Sequence, residues 1–481
     1  MVSDRVTPEM RRAKIVCTLG PASDSAEVIG QLVDAGMDVA RLNFSHGSRE
    51  DHERVLDHVR REARRRDRAV AILQDLQGPK IRIGEMERGE AELVEGSELV
   101  ITTTPTLGTA ARVSTTYTLL PRDVKARDTI LLDDGLLRLE VLEATGTEVR
   151  TRVLAGGILR SKKGMNLPGV ATSIPALTDK DRIDLRFGIE SNVDYLALSF
   201  VRSAADVLEA KRLAVRPDGR RIPIIAKLEK PEAVQRLEEI LDAADGLMVA
   251  RGDLGVELGP EKVPVVQKEA IQATNAVGKI VITATEMLES MITNARPTRA
   301  EASDVANAVF DGTDALMLSG ETARGKHPVL AVRTMATIIE EIEQNPRFQS
   351  HAVAPAPLDL AVSTNAIAQA AVVATNQLGI RTIAVYTESG GAARLLSEWR
   401  PNARIVAFTT RVEVYRALAL YWGVTPRLMP PATNFENFLS MIEADLKARG
   451  FARPGELVAI TVGVPLGKGN STNLLQLHKV S

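Results

Sequence analysis

The sequence predicts an α/β protein: a closed (β/α)8 barrel with an inserted small β-barrel-like lid domain and a C-terminal doubly wound α/β domain. Three observations carry that prediction. Eight short apolar, β-rich runs alternate for the most part with helix-patterned stretches. A long segment of short alternating strands interrupts the third of these units, and a second α/β pattern begins after a Pro-Ala-rich stretch.

The eight runs occupy residues 14–17, 39–42, 70–73, 195–200, 222–226, 246–250, 279–282 and 315–318. Near-continuous apolar strands are buried on both faces, as in parallel sheets covered by helices, and eight in succession predict a TIM barrel. Active sites of that architecture lie at the C-terminal ends of the strands. Read there in order, the chain offers Thr18 and Gly20; Arg41, Asn43 and Ser45; Asp75; Ser199 and Arg202; Lys227 and Glu229; Asp253; Thr285; and Ser319 and Glu321. Strand-to-helix turns often carry polar caps, and Ser23, Thr178 and Thr298, the last with Glu301 in a capping box, read that way. Capping does not account for Arg41, Lys227, Glu229 and Asp253, because a charged group is seldom set at the end of a buried strand without partners. A cation and two hard-oxygen carboxylates at the mouths of adjacent strands point to chemistry rather than packing.

Between Leu76 and Thr178 lie roughly 100 residues, far beyond an ordinary βα loop. Within them, 92–102, 129–141 and 148–154 alternate apolar and polar residues around Gly and Asp turns, which predicts a small antiparallel β domain able to close over the barrel mouth as a lid. The stretch 351–357 reads as a linker. Beyond it, a helix over 364–378 and strands over 382–386, 404–408 and 457–461 predict the doubly wound domain. The expected division is 1–83 with 171–345 for the barrel, 84–170 for the insertion and 346–481 for the C-terminal domain.

Composition narrows the function classes. At 481 residues the chain is too long for one core, and a formal charge of −2 provides no broad field for nucleic acid or a membrane surface. The single cysteine excludes an intramolecular disulfide framework, no run approaches a membrane span, and the first residues lack the apolar segment of a signal peptide. The expected compartment is the cytoplasm.

Longer motifs carry a resemblance. Lys14-Ile-Val-Cys-Thr-Leu-Gly-Pro-Ala-Ser23, Ala40-Arg-Leu-Asn-Phe-Ser-His-Gly47, Asp75-Leu-Gln-Gly-Pro-Lys-Ile-Arg82 and Ser161-Lys-Lys-Gly-Met-Asn-Leu-Pro-Gly169 occur in that order. They are followed by Ile225-Ala-Lys-Leu-Glu229, Met248-Val-Ala-Arg-Gly-Asp-Leu-Gly-Val-Glu257, Arg296-Pro-Thr-Arg-Ala-Glu-Ala-Ser-Asp-Val-Ala-Asn-Ala-Val309 and Met317-Leu-Ser-Gly-Glu-Thr-Ala323. Over essentially its whole length the chain resembles pyruvate kinases.

The resemblance implies phosphoryl transfer from phosphoenolpyruvate to ADP, giving pyruvate and ATP. It implies Glu229 and Asp253 as ligands of Mg²⁺ or Mn²⁺, and Lys227 as the cation beside the transferring phosphoryl and the enolate oxygen. The carboxylate of the three-carbon substrate would meet backbone N–H groups at Gly252 and Asp253, with Thr285 completing the pocket and helping to protonate the enolate. Arg41, Asn43, His46 and Arg82 match phosphate-contacting positions, and Lys163 of the insertion would reach the nucleotide on closure. A homotetramer, and a phosphorylated effector at the loop holding Thr387 and Ser389, are also implied.

Two departures stand out. Many family members bind K⁺ through positions matching Asn43, Ser45, Asp75 and the carbonyl of Leu76, and carry Glu where this chain has Lys80. The chain is similar to the subgroup in which a tethered ammonium replaces K⁺, so K⁺ is expected to be dispensable. Glu286 stands where Gln is expected, and the sequence offers no account of it. The competing readings are a catalytically silent metabolite binder and a nucleotide-free enzyme acting on a phosphoenol; the intact set Lys227, Glu229, Asp253, Arg41 and Arg82 weighs against the first, the lid with Arg41 and Arg82 against the second.

Overall fold

Strands Lys14–Thr18, Val39–Asn43, Ala71–Asp75, Tyr195–Leu198, Ile224–Leu228, Gly246–Ala250, Ile280–Ala284 and Ala315–Leu318 close, in chain order, into one parallel barrel in a computed structural model of the chain. The structure describes residues 11–170, 172–345, 362–466 and 471–481. The linker expected over 351–357 lies outside the described residues.

Period-2 alternation sorts the side chains of these strands. Val16, Val39, Leu73, Ala197, Ile225, Met248 and Ile282 fill the barrel interior, whereas Ile15, Cys17, Ala40, Ile72, Leu196 and Ala226 face the surrounding helices. The same parity puts Thr18, Arg41, Asp75, Ser199 and Lys227 on the inward face, each one step beyond the last inward apolar residue of its strand, with Asn43 one step beyond Arg41. The site therefore stands on the floor that the core builds. The fifth strand continues through Leu228, so Lys227 is a ladder residue and not part of the following loop.

Capping follows the sequence at two of three positions. Thr178 with Asp181 and Thr298 with Glu301 form capping boxes. Ser23 does not cap the first helix: its hydroxyl serves the Gly20 N–H inside the preceding turn, and Ser25 accepts the Val28 N–H at the helix start.

In the inserted segment a six-stranded sheet runs Met165–Asn166, Thr129–Leu132, Leu137–Thr145, Glu148–Ala155, Glu98–Thr102, Arg112–Ser114, beside a ribbon of Glu90–Leu93 and Gly157–Arg160. One pair, Glu98–Thr102 with Arg112–Ser114, is parallel rather than antiparallel, because the chain between them crosses back along the sheet past Gly108, whose N–H donates to Glu85 O. The insertion docks on the barrel rim where Asn166 Nδ2 and Lys230 Nζ both donate to Glu257, at 2.9 and 2.5 Å.

The C-terminal sheet has the order Val424–Leu428, Arg404–Thr409, Thr382–Tyr386, Leu457–Val462, Leu474–Lys479, with only the last strand antiparallel. Its turn Leu418–Leu420 plugs the barrel base, where Ala419 and Leu420 join the interior apolar cluster. Lys14 Nζ to Val424 O at 2.7 Å and Tyr195 OH to Ala417 O at 2.7 Å tie the seam.

Candidate active site

Asp75 is the hub of the barrel mouth. Its carboxylate is 1% exposed and accepts Arg41 Nε at 2.7 Å on one oxygen, while Lys227 Nζ lies 3.3 Å from the other. Arg41 also donates to Thr18 Oγ1 at 2.8 Å. Lys227 donates to Ser199 Oγ at 2.8 Å and pairs with Glu229 at 2.9 Å, and the Ser199 hydroxyl donates a hydrogen bond to the Leu76 carbonyl at 2.7 Å. Glu229 uses its second oxygen to accept the Phe200 N–H at 2.6 Å. Five strands thus contribute to one network.

Its electrostatics follow from burial and pairing. Burial alone would raise the Asp75 carboxyl, but Lys227 and Arg41 outweigh it and hold the group below the usual carboxylate range. Burial pulls Lys227 down, and Asp75 with Glu229 more than reverse that, so the ammonium stays charged. Glu229 is pushed up by burial and by the like charge of Asp253, against the opposing pull of Lys227.

The facing wall comes from the sixth and seventh strands. Gly252 and Asp253 lie in the first turn of the helix Arg251–Leu258. The Gly252 N–H is not free: it donates to Thr285 Oγ1 at 2.8 Å, and that hydroxyl donates onward to Ala284 O at 2.6 Å. Thr285 and Glu286 are consecutive left-handed residues with φ of 71° and 55°. Such backbone costs roughly 1–3 kcal/mol per residue and persists only where the surroundings impose it. Arg251 does so by donating to Thr285 O at 2.6 Å while Asp304 holds its other end at 2.8 Å. Glu321 secures the next turn through Leu288 N–H at 3.0 Å and Ser319 N–H at 2.7 Å.

On the rim, Lys80 Nζ stands 3.7 Å from Asp253 Oδ1. Asn43 Oδ1 accepts the Ser45 N–H at 3.2 Å, and Asn43 O accepts the His46 N–H at 3.2 Å. The His46 imidazole is held below its ordinary value by burial and by the cations Arg82, Lys80, Arg41 and Arg324. Arg82 Nη1 donates to Lys162 O at 3.1 Å. Lys163 is tied to Asp133 at 2.7 Å within the insertion, and Thr387 and Ser389 lie in the C-terminal domain, where Thr387 Oγ1 accepts the Gly390 N–H at 2.9 Å.

The family models for the pyruvate kinase barrel domain and the pyruvate kinase alpha/beta domain match residues 10–332 and 365–478. The chain belongs to the pyruvate kinase family. A pyruvate kinase of Geobacillus stearothermophilus is 48% identical over 473 residues, 98% of this chain and 81% of the relative. One of Staphylococcus aureus is 46% identical with the same coverage. The crystal structure of a pyruvate kinase from Cryptosporidium parvum superposes with a TM-score of 0.90 at 38% identity, covering 98% of this chain and 97% of that one. As a family member the chain is a phosphotransferase of glycolysis. Among the described residues no helix is long and apolar enough to cross a membrane.

Pyruvate kinases use Mg²⁺, and the carboxylates here fit such an ion. Glu229 and Asp253 are hard-oxygen donors close enough for the charge of one to raise the other, a repulsion a divalent cation relieves. Among the described residues no group of three or more His, Cys, Asp or Glu side chains is gathered as a metal-ligand cluster. Arg251, Asp304 and Glu257 were not singled out by the sequence reading. For Arg251 a signal was available, since a charged residue directly follows the apolar run 246–250.

Proposed function

We propose that this chain transfers the phosphoryl group of phosphoenolpyruvate to ADP, giving pyruvate and ATP, at the mouth of its barrel. One observation carries the reading: a buried ammonium, Lys227, is held charged between Asp75 and Glu229, and Asp75 also holds Arg41. Arg41 and Lys227 bind the phosphate and stabilise charge on the phosphoryl and enolate oxygens; fixed cations away from water are strong stabilisers of such charge. Gly252 and Asp253 receive the substrate carboxylate through backbone N–H groups, once Thr285 gives up the Gly252 N–H. Thr285 then helps deliver a proton to the enolate. Glu229 and Asp253 would hold Mg²⁺ or Mn²⁺, which supplies charge neutralisation across the substrate oxygens.

The nucleotide is met by Asn43, His46 and Arg82, with Lys163 brought in as the insertion 84–170 closes over the barrel of 1–83 and 171–345. Lys80, beside Asp253, takes the part of K⁺ in the region of Asn43, Ser45, Asp75 and Leu76, so turnover does not require K⁺. The C-terminal domain, 346–481, serves assembly as a homotetramer and regulation by a phosphorylated effector at Thr387 and Ser389, in the cytoplasm.

A coupled assay with phosphoenolpyruvate and ADP, following pyruvate through lactate dehydrogenase, tests this. Turnover lost without Mg²⁺ and indifferent to replacement of K⁺ supports the reaction and the role given to Lys80. Absence of turnover under every cation condition, with sugar phosphates and AMP included, overturns it in favour of a silent binder.

A further inference from the structure

Three elements meet at one carboxylate oxygen on the barrel rim. Glu257 Oε1 accepts Asn166 Nδ2 at 2.9 Å and Lys230 Nζ at 2.5 Å, and the Glu257 side chain is 1% exposed. Asn166 belongs to the insertion, because the strand Met165–Asn166 pairs with Thr129–Leu132 in the six-stranded sheet. Lys230 directly follows Glu229. Glu257 lies in the last turn of the helix Arg251–Leu258, four residues beyond Asp253 and so on the same helix face. A buried charge needs its partner, since either one alone is costly. None of the substrate contacts proposed above uses this one.

Further contacts run beside it. The hairpin tip Asp133-Asp134-Gly135 of the insertion is left-handed throughout, with φ of 52°, 55° and 85°, and a Cβ built on Gly135 would lie 3.7 Å from Val256 Cγ1. A Cβ on Gly164 would lie 3.5 Å from Lys80 Cε, and Lys80 Nζ stands 3.7 Å from Asp253 Oδ1. On the barrel side Phe200 has φ of 56°, an outlier for a bulky residue. Its N–H meets Glu229 Oε2 at 2.6 Å while its ring centre lies 5.9 Å from Lys230 Nζ. The insertion therefore touches the helix that carries Asp253 and, through Glu257 and Lys230, the turn that carries Glu229.

We propose that Glu257 is a positioning residue that couples the seating of the insertion to the arrangement of Glu229 and Asp253, so that a divalent cation binds best with Asn166 docked. The proposal rests on the reading of those two carboxylates as the cation's ligands. Two substitutions separate geometry from charge. Glu257→Gln leaves the Lys230 ammonium unmatched one residue from Glu229, where like charge opposes a divalent cation. Asn166→Ala changes no charge and removes only the tie to the insertion, so a weaker ion in that variant reports geometry alone.

Mn²⁺ binding to the full chain without substrates, read from the electron paramagnetic resonance signal of the free ion, tests the coupling in the parent and in Asn166→Ala, Glu257→Gln and Glu229→Gln. The affinity is expected to fall about fivefold in Asn166→Ala, the low end for linked sites. It is expected to fall about tenfold in Glu257→Gln, the low end for a residue that supports a metal ligand from behind. Coupling is reciprocal, so the ion should slow amide exchange in Thr129–Leu132 and Met165–Asn166 in the parent and not in Asn166→Ala. A residue that only braces the fold would lower the midpoint of thermal unfolding and leave the Mn²⁺ affinity unchanged. Parental affinity in either Asn166→Ala or Glu257→Gln, or exchange that the ion does not slow in the parent, overturns the coupling; loss of the ion in Glu229→Gln then keeps the metal site standing. No binding by the parent, or equal binding by Glu229→Gln, overturns the metal site and the coupling together.

Discussion

Lys227 Nζ stands 3.3 Å from Asp75 Oδ1, and no solvent reaches the carboxylate between them in any quantity, since Asp75 is 1% exposed. The pair joins two strands separated by the tyrosine-bearing fourth strand and sets a cation at the top of the apolar barrel core. Asp75→Asn removes the one carboxylate shared by Lys227 and Arg41. Breaking a buried pair leaves uncompensated charge and costs about 3–5 kcal/mol. Lys227→Met instead removes the cation from the reaction, with an expected loss of about 10²–10³ in kcat, the scale of one fixed electrostatic donor. Urea unfolding and steady-state kinetics on both variants separate the two effects; a Lys227→Met enzyme with normal kcat would remove Lys227 from catalysis.

Thr285 is defined by two hydrogen bonds and a left-handed backbone. Thr285→Ser keeps the hydroxyl and is expected to retain kcat within about tenfold. Thr285→Val keeps the shape, loses both bonds and is expected to fall about 10²-fold, the lower range for a positioned proton donor. Equal kcat in the two variants would assign Thr285 to backbone geometry alone.

Much of this site is legible in the alternation of the strands. Once Val16, Val39, Leu73, Ala197 and Ile225 are inward, Thr18, Arg41, Asp75, Ser199 and Lys227 must be inward as well, because the pleat has period 2. What the chain does not disclose locally is pairing across distance. Arg251 finds Asp304, and Lys163 finds Asp133, only after the fold is assembled. Strands Val424–Leu428 and Leu474–Lys479 escape a search for apolar runs because one holds Pro and Arg and the other is a half-exposed edge with Gln, His and Lys. The boundary of the fifth strand escapes it too, since a charged residue such as Lys227 looks like the end of a strand when its partners are unseen.

Lys80 reaches 3.7 Å from Asp253 Oδ1 and so places positive charge beside the carboxylate proposed above as a ligand of the divalent cation. Lys80→Glu reverses that charge. The expected result is an enzyme nearly inactive in K⁺-free buffer, recovered by added K⁺, while the parent is indifferent to it. Kinetics across a K⁺ series decide the matter, and a variant that K⁺ cannot rescue would show that Lys80 acts otherwise than as a cation substitute.

Glu398, the last residue of the helix Gly391–Glu398, is buried at the barrel base near Asp314, which itself receives Arg400 Nη2 at 2.6 Å. Burial first, and then the like charge of Asp314, raise the Glu398 carboxyl to about 8, with Arg400 and Arg394 opposing. A carboxyl whose folded value lies above its unfolded value, ~4.3, binds its proton more tightly in the folded state. Its stabilisation is complete below the unfolded value, declines as pH rises through that window, and is gone above about 8. Glu398→Gln carries no proton to lose, so its stability relative to the parent should rise with pH. Urea unfolding at pH 5 should show a small difference, and at pH 9 the variant should gain about 1–3 kcal/mol over the parent, discounted from the full shift for the two nearby arginines. A difference that stays constant from pH 5 to pH 9 would place the proton of Glu398 outside the folding equilibrium.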